Sequence, residues 1–227
     1  MCGGYRGEGA LARGRGAVIL IGMADQLYLS LWYANFRFAE LPVALAKVMR
    51  QFAAVSGNEQ VRAATVYPLG WTESPVFQWV HSDKDAPEQA SIEYAIAGAM
   101  EMLHEDYAYE FEMTWELWVA DAAGGLDAAW KREPRVVRIT GFGPEFDEGL
   151  FEQNGQIRID VGSDTPFLQE EVELDQAGAG YVKENVQKLV DLTTAVHENA
   201  GAATRLLWSE SGENLAQKLI ARLQSLN

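Results

Sequence analysis

The sequence predicts an α+β fold in which helices pack on one face of an antiparallel or mixed sheet. Between residues 27 and 119 the hydrophobic pattern changes in the order strand, helix, strand, strand, helix, strand. This is the element order of a ferredoxin-like βαββαβ unit. Two further strand patterns and a helix–strand–helix pattern follow, which predict a β-meander and a C-terminal αβα segment. The hydrophobic content of 48% is sufficient for a folded core.

The first strand and the first helix have clear patterns. Leu27–Tyr33 is apolar and aromatic, which is typical of a buried strand. Over residues 38–55 apolar side chains recur at steps of three and four, which defines one face of a helix. Pro42 is tolerated in the first turn of this helix, and Gly57 suits its end.

A hairpin, a second helix and a long strand are predicted next. The hairpin pairs Val61–Tyr67 with Val76–His81 through a loop rich in proline and glycine. Asp85 is followed by Pro and Glu in the order expected at a helix start, so we expect it to be an N-cap. Tyr109–Val119 alternates between apolar and polar side chains, which is the strongest strand pattern in the chain.

The remaining elements follow a loop at residues 120–133. They are strands at Arg135–Phe142 and Gln156–Val161, a helix at Tyr181–Asn199, a short strand at Arg205–Trp208 and a final helix from Ser211. The loop is the best candidate for a boundary within the chain. We nevertheless expect residues 23–227 to form a single α+β domain with one continuous sheet.

Residues 1–22 differ from the rest of the chain. They are rich in glycine and arginine and show no hydrophobic period. Their apolar stretch, Ala17–Ile21, is shorter than the roughly 7–15 residues of a signal-peptide core. We therefore expect an unstructured extension, translation starting at Met23, and a cytoplasmic protein. Cys2 is the only cysteine, so no intrachain disulfide can form.

The formal charge of −15 constrains the partners. Phosphate backbones would be repelled by such a surface, so we expect no nucleic acid to bind. No apolar run approaches the ~18 residues of a membrane span, so no membrane is expected either. A protein partner of opposite charge, or self-association through a sheet edge, fits better.

Three glutamates lie on one side of the long predicted strand, namely Glu110, Glu112 and Glu116. Three arginines, Arg135, Arg138 and Arg158, lie on the strands predicted to follow it. We expect these six residues to form cross-strand ion pairs on an exposed face, each contributing roughly 0.2–1 kcal/mol. The alternative is that paired carboxylates carry acid–base chemistry, which needs one acid in an environment unlike that of its neighbour.

The predicted hairpin is unusually aromatic, with Tyr67, Trp71, Phe77 and Trp79 close together. Aromatic side chains beside prolines on a loop are typical of binding sites. The competing interpretation is that Tyr67, Phe77 and Trp79 belong to the core. Trp71 lies near the loop tip and is equally compatible with a partner contact or with folding back over the core.

No catalytic residue, metal site or cofactor is predicted. His81, Asp83 and Asp85 alternate as metal ligands can, but Asp85 is already explained as a helix cap. His104 and His197 fall in the last turns of predicted helices, where a positive charge complements the helix dipole. The Gly-x-Ser-x-Gly motif of serine hydrolases is absent from the sequence.

The leading functional expectation is therefore an acidic, soluble, cytoplasmic protein with a binding or protein-interaction role. The first alternative is a small-molecule hydrolase or transferase that uses carboxylates on the sheet. A weaker alternative is an acidic inhibitor that mimics the charge of nucleic acid. An enzyme needs a concave pocket into which titratable groups converge, whereas an interaction module needs an exposed aromatic patch.

Overall fold

Seven strands form one antiparallel sheet in the computed structural model, which describes residues 24–82, 84–121, 129–169, 174–212 and 215–224. The strands are β1 (Gln26–Trp32), β2 (Ala63–Pro68), β3 (Phe77–Val80), β4 (Tyr107–Asp121), β5 (Ala129–Phe142), β6 (Ile157–Ser163) and β7 (Thr204–Ser209). Their order across the sheet is β3-β2-β4-β5-β6-β1-β7. The expected extension 1–22 and the expected start at Met23 lie outside the described residues.

Six α-helices accompany the sheet in the described part of the chain. They are α1 (Leu41–Ser56), α2 (Ile92–Met100), α3 (Phe151–Asn154), α4 (Thr165–Leu168), α5 (Gln176–Asn199) and α6 (Leu215–Gln224). Short 3-10 turns occur at Phe38–Glu40, Pro87–Ala90 and Phe146–Glu148. None of the described helices combines the length and the apolarity that a bilayer crossing requires.

Helix α1 shows how the sequence determines the packing. Its buried side chains recur at the predicted helical spacing, and Leu45, Val48 and Phe52 are fully buried. The helix ends at Gly57, which has φ 74° and donates its backbone N–H to the carbonyl of Ala53. The left-handed conformation favours glycine at this position, as the sequence predicts.

The two faces of the sheet differ sharply. On one face α1, α2 and α5 cover a single core, to which β4 contributes the buried side chains Tyr109, Phe111, Met113, Trp115 and Leu117. The alternation predicted for β4 is therefore confirmed. The opposite face, called here the open face, carries the alternate residues of the same strands. Within the described chain, a small cluster around Phe142 and Phe146 covers one end of it.

The strand order corrects the ferredoxin-like expectation, although the α+β class is as predicted and the antiparallel sheet is one of the two sheet types expected. A ferredoxin-like unit would place β1 beside β3 and β4. Instead β1 lies between β6 and β7 and is antiparallel to both. The hydrophobic period identifies a strand and its buried face, but it does not identify the neighbouring strand.

Two local expectations are also corrected. The predicted loop at 120–133 is strand at both of its described ends, because β4 continues to Asp121 and pairs there with Ala129 at the start of β5, while residues 122–128 lie outside the described residues. Asp85 does not cap a helix. It accepts a hydrogen bond from the backbone N–H of Ser82, while Ser91 caps α2 by accepting from the backbone N–H of Tyr94.

Candidate functional site

A pocket of about 590 Å³ lies on the open face of the sheet. This volume falls within the roughly 300–1,000 Å³ typical of small-molecule sites. Its charged lining side chains are Arg62, Glu110, Glu112, Arg138, Arg158 and Asp160. Tyr67 and Trp71 form an aromatic wall, and His81, directly after β3, also lines the pocket.

The strand register brings these side chains together in two rows. In the first row Glu110 of β4 lies opposite Thr140 of β5, and Thr140 lies opposite Arg158 of β6. Because neighbouring strands are about 4.8 Å apart, the backbones of Glu110 and Arg158 are roughly 10 Å apart. The next row contains Glu112, Arg138 and Asp160. The charges therefore alternate in sign across the centre of the sheet.

Two glutamates share one arginine in the pocket. The Nε atom of Arg138 lies 3.0 Å from Oε1 of Glu112 and 4.0 Å from Oε1 of Glu110. The Glu110 side chain is only 14% exposed, compared with 31% for Glu112. Burial raises the pKa of Glu110, and the charge of Arg138 opposes this rise only in part. Glu110 is therefore an acid in an environment unlike that of its neighbour.

Arg158 is held among aromatic rings rather than by carboxylates. Its guanidinium carbon lies 5.0 Å from the ring centre of Tyr28, 5.3 Å from that of Phe142 and 5.8 Å from that of Trp71. Its Nε is buried and has no hydrogen-bond partner among the described residues. Burial lowers the pKa of this guanidinium, as expected for a cation removed from water.

The expected ladder of six ion-paired residues is thus only partly formed. Arg138 reaches the glutamates, but Arg135 lies opposite the buried Trp115 and pairs instead with Glu133 of its own strand at 2.9 Å. Glu116 is exposed and does not line the pocket. Arg158 is separated from β4 by the whole of β5, which explains why it does not pair with a glutamate there.

The four aromatic residues of the hairpin divide between the two faces. Tyr67 and Trp71 line the pocket. Trp71 is half-buried, and the centre of its ring lies 5.2 Å from the ring centre of Phe146. Phe77 and Trp79 lie on the helix-covered face and pack against the main core. Trp71 therefore combines a packing contact with exposure to the pocket.

The histidines have separate environments. The Nδ1 atom of His81 is buried without a hydrogen-bond partner and lies 3.9 Å from Oδ2 of Asp85. His104 follows α2 rather than ending it and contacts Asp106, whereas His197 lies in the last turn of α5 as predicted. Asp83 is outside the described residues, and no trio of metal-binding side chains occurs within them.

Sequence reasoning missed Arg158 and Asp160 as members of a pocket. A usable signal was present, because these two residues are two positions apart on a predicted strand and must share a face. What the sequence did not reveal is that Tyr28 lies directly opposite Asp160 on the neighbouring strand β1. This contact depends on the strand order.

Comparison with known proteins adds no assignment. The chain matches no family model, no curated protein and no solved structure. A functional proposal therefore has to rest on the residues of the pocket.

Proposed function

We propose that this protein binds a small polar molecule in the pocket on the open face. The observation that carries the proposal is the convergence of charged side chains from β4, β5 and β6 beside the aromatic wall of Tyr67 and Trp71. Ligand-binding pockets are typically concave and partly aromatic, and they contain a small number of precisely placed polar groups. This develops the binding role expected from the sequence and replaces an unspecified partner with a small ligand.

The sheltered charges favour a binding role over a purely structural one. Removing an ion from water costs several kcal/mol even after the protein relaxes, unless the ion is well paired. Glu110 shares its arginine with Glu112. The Nε atom of Arg158 is buried without a hydrogen-bond partner among the described residues. An open sheet face could instead be stabilised by exposed ion pairs at a smaller cost. Charges kept in such positions are typical of functional sites.

A thermal-shift screen tests the proposal. The wild-type protein is screened with small carboxylic acids, amines, amides, sugars and nucleosides, and each hit is then measured by calorimetry. Gln78→Trp introduces a bulky ring at an exposed lining position of β3 and should abolish binding. Gln187→Trp, at an exposed position of α5, is the matched control and should bind as the wild type does. Equal binding by both variants, or no hit at all, would refute the proposal.

A hydrolase or transferase is the second candidate function, and one observation favours it. Glu110 and Glu112 are neighbouring acids in different environments. Glu110 is sheltered, whereas Oε1 of Glu112 lies 3.0 Å from Nε of Arg138. Differing environments of this kind allow one carboxyl group to donate a proton while the other stays ionised. Glu110→Gln should then abolish turnover of a bound compound while preserving its binding. Turnover that survives this substitution would exclude Glu110 as the acid.

A further inference from the structure

The three arginines of the pocket differ in their availability to a ligand. Arg138 is occupied by Glu112 and Glu110. Arg62 is exposed, so solvent screens its charge. Arg158 is half-buried, lines the pocket, and has an Nε atom without a hydrogen-bond partner among the described residues, although the nearby charges of Asp160 and Glu110 favour its charged form. Arg158 is therefore the cation best placed to bind a ligand.

The aromatic rings prepare Arg158 for this role. Tyr28, Phe142 and Trp71 each contact the guanidinium group through a cation–π interaction. Such contacts restrain the arginine side chain without using its hydrogen-bond donors. A planar guanidinium held in place loses little further entropy when it binds a planar oxyanion through two parallel hydrogen bonds.

We infer that Arg158 binds the carboxylate of a small monocarboxylic acid. This inference rests on the proposed function and names the class of ligand. A carboxylate fits better than a phosphate ester, because Glu110, Glu112 and Asp160 also line the pocket and would repel a second negative charge. The formal charge of −15 on the chain adds to this repulsion.

The first test uses the wild-type protein alone. Acetate, lactate and benzoate are titrated by NMR alongside acetamide, lactamide and benzamide, and phenyl phosphate is included as a dianion. At least one acid should bind at least tenfold more tightly than its own amide and, for benzoate, more tightly than phenyl phosphate. Amides that bind as tightly as their acids would overturn the inference. Tighter binding of phenyl phosphate would overturn the choice of carboxylate.

The second test compares two stacked arginines of the same sheet. Arg158→Gln removes the proposed anchor, and the best acid should then bind roughly 10- to 100-fold more weakly, the size of a lost hydrogen bond to a charged group. Arg132→Gln is the matched control. The guanidinium carbon of Arg132 lies 4.8 Å from the ring centre of Trp118, but Arg132 does not line the pocket. This control should retain wild-type affinity for the acid. Arg158→Lys should fall between them, because lysine keeps the charge without the planar fork.

The outcomes separate this inference from the proposed function. Suppose that amides bind and that Gln78→Trp prevents their binding, while Arg158→Gln leaves the affinity for acids unchanged. The pocket then binds ligands, but the inference about Arg158 is wrong. If neither acids nor amides bind, the inference is wrong, and the proposed function is wrong as well only when no other compound of the thermal-shift screen binds. Should Arg158→Gln fail to fold, as shown by circular dichroism, the comparison of acids with amides on the wild-type protein decides the matter.

Discussion

The helix-covered face and the open face of the sheet use alternate residues of the same strands, but different interactions stabilise them. Phe111 is fully buried in the main core, while its neighbour Glu112 faces the pocket and pairs with Arg138. Burial of a large apolar side chain contributes several kcal/mol, whereas a partly exposed ion pair contributes less than about 1 kcal/mol. The covered face is therefore expected to contribute more to the free energy of unfolding than the open face does.

Adjacent substitutions in β4 give the largest expected effect. Phe111→Ala should lower the free energy of unfolding by about 3–5 kcal/mol, because it leaves a cavity in the main core. Glu112→Ala, one residue away, should lower it by less than about 1 kcal/mol, because the ion pair it removes is partly exposed. Urea denaturation of both variants measures the difference. Similar losses for the two variants would contradict the division between the faces.

The covered face was the more predictable of the two. The alternation of β4 and the buried stripe of α1 are local patterns, so the sequence alone indicates both the element and its inner side. The same reasoning correctly placed Glu110 and Glu112 together on the other side. It also anticipated that a nearby arginine would pair with them, as Arg138 does.

The pocket was less predictable because it depends on which strands are neighbours. Arg158 was expected to pair with a glutamate of β4, but β5 lies between the two strands. Its actual contacts include Tyr28 of β1, a strand far away along the chain. Hydrophobic period determines the face on which a side chain lies, whereas its partners across the sheet depend on tertiary packing of the whole chain.

Trp71 packs against the small buried cluster of Phe142 and Phe146 at one end of the open face. Its ring packs against Tyr67, Phe142 and Phe146 but remains half-buried. Trp71→Ala should therefore cost about 2 kcal/mol, which is less than the roughly 3–5 kcal/mol of a fully buried aromatic residue. Trp71→Phe should restore most of this loss, because a ring still covers Phe146. A loss as large as that of Phe111→Ala would place Trp71 in the core rather than at a site.

Substitution of Glu110 is expected to change the free energy of unfolding least. The change should depend on pH, and this dependence distinguishes the open face from the covered face. Burial raises the pKa of Glu110 in the folded protein, so the native state binds a proton more readily than the unfolded chain does. The contribution of Glu110 to stability is therefore fully present below its ordinary unfolded pKa. It is lost as the pH rises through its raised folded pKa.

Glu110→Gln should remove this dependence, because glutamine cannot ionise. Relative to the wild type, the variant should become more stable as the pH is raised from acidic to neutral, as measured by urea denaturation at a series of pH values. Glu93→Gln is a useful control, since the Arg50 side chain lowers the pKa of Glu93 and the sign is reversed. That variant should lose relative stability over the same rise in pH, by a small amount because the pair is exposed. If both variants responded alike, Glu110 would be an ordinary surface acid, and the open face would have no sheltered carboxyl group to offer a ligand.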